Sequence, residues 1–123
     1  FVLGYYFYNE EYLEKSSKML NSVKKYTLNG GSYFANWDIL MAWFSSEPYE
    51  VAIVGKEFEH LRREFNGHYL PNVFFSGGSS EGTLSLLENK LVEGETTIYV
   101  CQFKVCKLPV TDTKAALTQI FDQ

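Results

Sequence analysis

Val51-Ala52-Ile53-Val54-Gly55, then Phe58, Leu61 and Phe65, then Val73-Phe74-Phe75-Ser76-Gly77-Gly78 is the stretch on which the reading of this chain turns. The first run is short, continuous and β-branched, the pattern of a strand covered on both faces as in a parallel sheet. Phe58, Leu61 and Phe65 recur at helical spacing, and Asn66-Gly67 closes that helix. Val73-Phe74-Phe75 is a second strand. Strand, helix, strand without a hairpin turn predicts a βαβ unit with a right-handed crossover.

Downstream, Leu84, Leu87 and Leu91 fit a third crossover helix, Glu93-Gly94-Glu95 a turn, and residues 96–101 a late strand. Thr111 or Asp112 caps a last helix whose buried side is Ala116, Leu117, Ile120 and Phe121. The expectation for residues 48–123 is thus a small three-layer α/β unit. Its short, mainly parallel sheet of about three strands is flanked by helices.

Upstream the period is helical. Asn9 caps a helix with Glu10 and Glu11 in its first turn, where carboxylates suit the helix dipole. Tyr12, Leu13, Met19, Leu20, Val23 and Tyr26 follow at helical spacing. Asn29-Gly30-Gly31 stops it, since glycine takes the left-handed backbone of a helix end. Ser32 is the expected cap of a second helix with Phe34, Trp37, Met41 and Phe44 on one stripe. Pro48 ends it, because the residue before a proline disfavours helix. Residues 1–47 are therefore an antiparallel helical hairpin, with the boundary between Ser45 and Pro48.

The chain has 123 residues, 46% hydrophobic and 21% charged, which is an ordinary globular balance and argues against disorder. The aromatic share is 17%, high enough to expect some aromatics on a surface that meets another one. A net charge of −4 gives no footprint for nucleic acid, and the pairs Lys24-Lys25 and Arg62-Arg63 read as solvated helix faces. No apolar run reaches the ~18 residues of a membrane span. The start, Phe1-Val2-Leu3-Gly4-Tyr5-Tyr6-Phe7-Tyr8, lacks a basic n-region and reads as internal to a longer chain rather than as a signal peptide. Two cysteines are too few for a disulfide scaffold, and the expected compartment is the cytoplasm.

Familiar active sites are missing their parts. Gly77 and Gly82 match the outer spacing of a phosphate loop, but Thr83 and Leu84 stand where its Lys and hydroxyl belong. A surface loop is the plainer reading. Backbone amides at a helix start still suit a small anion or sugar phosphate, and the ligand-binding candidates are Gly55, Lys56, Gly77, Gly78, Ser79 and Gly82. Val54-Gly55-Lys56-Glu57 lacks the dinucleotide fingerprint. His60 falls off the core stripe and His68 in a turn, neither with the partner of a helical metal pair; no metal or cofactor is expected. No nucleophile elbow is present.

Cys101 and Cys106 form C-x4-C. In one extended strand they would lie about 17 Å apart and on opposite faces, whereas a disulfide needs Cα atoms within ~7 Å. Gln102-Phe103-Lys104-Val105 contains no Gly, Asn or Pro to turn the chain. Three readings stay open in this order: reduced structural thiols, a disulfide-linked turn, and a metal or reactive-thiol role.

Thr97-Ile98-Tyr99-Val100-Cys101, Cys106 and Pro109-Val110-Thr111-Asp112 together resemble the C-terminal signature of thioredoxin-domain-containing proteins of the spermatogenesis-associated protein 20 kind. Val51-Ala52-Ile53-Val54-Gly55 and Tyr69-Leu70-Pro71-Asn72 resemble that family's preceding segments in the same order; Ile98 stands where the family's Thr-Ala-Tyr-Val-Cys has Ala. The resemblance covers about the last two-thirds of the chain. It implies a parent with a thioredoxin-like domain, then a toroid of helical hairpins similar to six-hairpin glycosidases, then the C-terminal unit. Residues 1–47 would be the last hairpin of the toroid, and the upstream parts the chain's partners. It carries no catalytic residue onto this sequence. The expected function is a non-catalytic structural or docking segment; the alternatives are anion or sugar-phosphate binding at the strand ends and a thiol-disulfide role for Cys101 and Cys106.

Overall fold

A computed structural model describes residues 1–122, apart from the side chain of Leu28; Gln123, the last residue of the expected 48–123 unit, lies outside the described residues. The chain divides into two compact units, Phe1–Glu47 and Pro48–Gln123.

The first unit is helical: α1 (Val2–Phe7), α2 (Glu10–Gly30), a 3-10 turn (Gly31–Phe34) and α3 (Ala35–Ser45). The short α1 is an element that the apolar start did not announce. Tyr8, in left-handed conformation with φ 48°, ends it. Asn9 then caps α2, its Oδ1 accepting the Tyr12 amide at 3.1 Å. Gly31, at φ 53°, breaks α2 where the glycine pair lies. Ser32 is not the cap of α3: it falls inside the 3-10 turn, and Phe34 precedes α3 without a capping side chain. The stripe Phe34, Trp37, Met41 and Phe44 is not a core either, because no residue of α3 is buried. Among the described side chains of this unit, Gly4, Tyr5, Ser16, Leu20 and Thr27 are buried.

The second unit holds a four-stranded sheet of order β2-β1-β3-β4, from β1 (Tyr49–Val54), β2 (Val73–Gly78), β3 (Thr97–Gln102) and β4 (Val105–Cys106). β1 pairs parallel with β2 across α4 (Phe58–Phe65) and antiparallel with β3, which turns back into β4. All six residues of β1 are buried, as a central strand with both faces covered requires.

One sheet face carries Tyr49, Val51, Ile53, Ile98 and Val100, packed with Phe65 of α4 and with Ala116 and Ile120 of α5 (Thr113–Phe121). Each large apolar side chain buried there contributes roughly 1.5–3 kcal/mol of transfer free energy, so this cluster is the principal source of the unit's stability. Asp112 caps α5 by accepting the Ala115 amide at 2.8 Å. Phe121, assigned to the buried side from its spacing, is instead 60% exposed as the last residue of α5. The opposite face carries Glu50, Ala52, Val54, Thr97, Tyr99 and Cys101, following the alternation of the registers. It lies under the segment of residues 79–96, whose Leu86 and Leu87 are buried.

Two expectations are corrected. The sheet is mixed, not mainly parallel: one of its three strand pairings is parallel. The crossover helix expected over Leu84, Leu87 and Leu91 is a single 3-10 turn, Ser85–Leu87. The two corrections have one cause. Asn89 takes a left-handed conformation at φ 56° and Gly94 one at φ 83°, so residues 88–96 turn across the sheet instead of coiling. A connection of that kind returns the chain antiparallel, whereas a parallel return needs a full crossover.

Candidate functional site

The carboxyl ends of the parallel strands open onto a cleft of about 1060 Å³. Gly55, Lys56 and Ser79 line it, together with Glu57 and His60 of the α4 approach and Glu93, Glu95 and Thr96 of the return segment. Of the predicted ligand-binding residues, Gly77, Gly78 and Gly82 do not line this cleft. Gly77 and Gly78 are the last two residues of β2, and Gly82 packs near Leu87.

The glycines have structural explanations. At Gly55, φ is +134° and a Cβ would stand 2.5 Å from the Glu95 carbonyl oxygen and 2.6 Å from the Thr96 Cα. A side chain there would also meet backbone, which cannot swing aside. A Cβ on Gly77 would lie 2.1 Å from the Ile53 carbonyl oxygen, so this glycine sets the close approach of β2 to β1. Two amides at the start of α4 are taken within the fold: the Glu57 amide donates to Thr96 Oγ1 at 3.0 Å and the Phe58 amide to the Gly55 carbonyl at 3.2 Å. Lys56 and His60 share the lining with three acidic residues, Glu57, Glu93 and Glu95. His60 pairs with Glu64 at 3.3 Å on the exposed side of α4.

A second site lies at the other end of the sheet. Cys101 and Cys106 are direct cross-strand partners, joined as a disulfide with sulfurs 2.08 Å apart. The expectation of two thiols on opposite faces of one straight strand is thereby corrected: the pair lies across a turn at bonding distance, the geometry of the disulfide-linked turn. The chain reverses at Phe103 and Lys104, both with positive φ (43° and 72°), the conformation of a two-residue hairpin turn. Across such a turn, residues five apart face each other on one side. The next hydrogen bond out, Lys107 amide to Val100 carbonyl at 2.9 Å, makes the cysteines a non-hydrogen-bonded pair, where side chains approach closest.

The surroundings of the two sulfurs differ. Cys101 is 1% exposed, while Cys106 on the edge strand is half-buried. Lys90 Nζ lies 3.5 Å from Cys106 Sγ and 4.5 Å from the centroid of the Tyr99 ring. Its main chain is anchored: the Lys90 carbonyl accepts from Tyr99 Oη at 3.1 Å and from Thr97 Oγ1 at 3.3 Å. The Leu91 amide donates to Glu81 Oε1 at 3.0 Å, which holds the exposed Glu81 carboxyl below the usual glutamate range. Glu50, 3% exposed, stands opposite Cys101 in register and accepts the Lys104 amide at 3.3 Å. Sequence reading missed Lys90 and Glu50, since no motif links either to the cysteines.

Among the described residues, no group of three or more His, Cys, Asp or Glu could hold a metal ion, and no helix is long and apolar enough to cross a membrane. Comparison of the chain with protein-family models, with curated proteins and with solved structures found no match.

Proposed function

We propose that this chain is an assembly segment rather than a catalyst: residues 1–47 pack as one hairpin among the helical hairpins of a larger cytoplasmic parent, and residues 48–123 form its closing unit. On this reading the parent is of the thioredoxin-domain-containing kind that the signature around Cys101 resembles, and neither nucleic acid nor a membrane is a partner.

The observation that carries the reading is the uncovered apolar face of the helical unit. Tyr12, Met19 and Tyr26 repeat every seven residues along α2 and are 45%, 51% and 53% exposed. A repeat of seven keeps one stripe facing a neighbouring helix. Beside it Val2, Leu3, Met19, Trp37 and Trp43 line a groove of about 550 Å³. Contiguous apolar surface of this kind marks an interaction site, and the heptad stripe suits a helix as its occupant.

Leu3→Glu and Met19→Glu test it in two settings. Leu3 is 58% and Met19 51% exposed in the chain by itself, so there each change costs within about 0.5 kcal/mol. In the parent each would bury an unpaired carboxylate and cost about 3 kcal/mol or more, visible as a fall in the melting temperature. Equal melting of substituted and unsubstituted parent would refute the reading.

A further inference from the structure

We infer that the Cys101–Cys106 pair is a thiol-disulfide exchange site, attacked at Cys106, whose substrates are dithiols. The inference stands apart from the assembly reading, because none of its residues belongs to Phe1–Glu47.

Three features point the same way. The first is access: Cys106 sits on the edge strand, beside Val105 at 78% exposure, while Cys101 is 1% exposed. An incoming thiolate therefore reaches the Cys106 sulfur. The second is charge. Lys90 places its ammonium 3.5 Å from Cys106 Sγ, whereas the residue opposite Cys101 is the buried acid Glu50. A cation beside one sulfur and an acid on the same face as the other assign the thiolate of the reduced pair to Cys106 and the protonated thiol to Cys101. The remaining ionisable or charged groups nearby are Tyr99, under Lys90, and Lys104 and Lys107 of the hairpin. Lys107 points its Nζ to the Gln119 carbonyl and thus away from the sulfurs. The third is positioning. Lys90 lies outside any helix or strand, yet its carbonyl is held by Thr97 and Tyr99 and the following amide by Glu81.

The step balances with a dithiol as co-reactant. One thiolate of the substrate attacks Cys106 Sγ; a new S–S bond forms, the Cys101–Cys106 bond breaks, and Cys101 leaves with the electron pair and takes a proton from solvent. The second thiolate of the substrate attacks the first substrate sulfur. The mixed disulfide breaks and Cys106 leaves as a thiolate beside Lys90. The substrate has lost two electrons to become a disulfide, and this pair has gained them. Lys90 is a positioning residue in this scheme, acting through Cys106.

The test uses the full chain with dithiothreitol as the dithiol probe. Wild-type protein is reduced, then alkylated with iodoacetamide across pH, with each cysteine followed by mass spectrometry. Cys106 alkylates with a midpoint below the ordinary cysteine value of about 8.5, and at least tenfold faster than Cys101 at neutral pH. Lys90→Met raises the Cys106 midpoint by about one unit, while Lys90→Arg, which keeps the cation, leaves it within a few tenths. Unreduced wild-type chain reaches half-reduction in dithiothreitol with its far-ultraviolet circular dichroism intact. Ordinary midpoints for both thiols, a Lys90→Met profile superimposable on wild type, or reduction only after the fold is lost would each leave a structural crosslink and overturn the proposal.

Discussion

The carboxylate of Glu50, in the buried central strand, accepts the backbone amide of Lys104 at 3.3 Å, across 54 positions of sequence. Lys104 is the second residue of the turn that brings Cys106 back to Cys101. The turn has no Asn or Gly to favour its positive φ values, so part of its stability comes from this distant acceptor. Glu50→Ala is expected to destabilise the chain by about 1–3 kcal/mol, the cost of leaving a part-buried donor without its acceptor. Glu50→Gln, which keeps an acceptor oxygen, loses less. Urea titration reads both as a lower midpoint at unchanged slope; an alanine variant within 0.5 kcal/mol of wild type, ~0.5 being the scale of an ordinary surface change, would show the contact to be idle.

Gly55 and Gly94 make a matched pair for backbone strain. Both have positive φ, 134° and 83°, but a Cβ on Gly55 would meet Glu95 and Thr96 while one on Gly94 has nothing within 4 Å. Gly94→Ala therefore costs about 1 kcal/mol, the left-handed penalty alone. Gly55→Ala adds a backbone collision and costs about 3 kcal/mol or more. Thermal melts of the two variants should rank in that order.

The line between what was legible in the sequence and what was not follows the range of the interactions. β1, α4 and β2 were readable because their signals are local: a β-branched run, a helical spacing, a glycine stop. The caps Asn9 and Asp112 were readable for the same reason. The direction of β3 was not, since it depends on residues 79–96. There three leucines imitate a helix while Asn89 and Gly94 turn the chain. The cysteine pairing was hidden by a turn, Phe103-Lys104, whose residues do not announce it. Lys90 reaches the Cys106 sulfur from 16 residues before it, and Glu50 stands opposite Cys101 on the central strand; only the folded sheet brings them there.

Removing the crosslink has a calculable cost. A disulfide closing a loop this short restricts the unfolded chain by about 2 kcal/mol in the chain-entropy account. Cys101→Ser with Cys106→Ser should lower stability by about that amount in urea. Dithiothreitol should lower wild type to the same level and leave the double variant unmoved. A double variant as stable as oxidised wild type would remove the crosslink from the energetics of the unit.

The Glu81–Leu91 contact makes the approach to Lys90 sensitive to acid. Glu81 is fully exposed, and the Leu91 amide, with smaller help from the amides of Asn89 and Lys90, holds its carboxyl below the usual glutamate range. A carboxyl whose folded pKa is depressed stabilises the fold above its unfolded value, about 4.3 for glutamate. That contribution is lost as pH falls through the lower folded value. Residues 89–91 should therefore loosen as the pH falls below the ordinary glutamate range, while the β1–β2 core, which does not depend on this carboxylate, stays closed. Proton NMR should show the Leu91 amide moving upfield along a titration curve with its midpoint below the value of free glutamate, about 4.3. In Glu81→Gln the same amide should show no titration. In Glu81→Ala, which removes the acceptor of the Leu91 amide, the Cys106 alkylation midpoint should rise toward that of Lys90→Met, because the segment presenting the ammonium is no longer pinned. An unchanged Cys106 midpoint in Glu81→Ala would separate the loop contact from the sulfur chemistry.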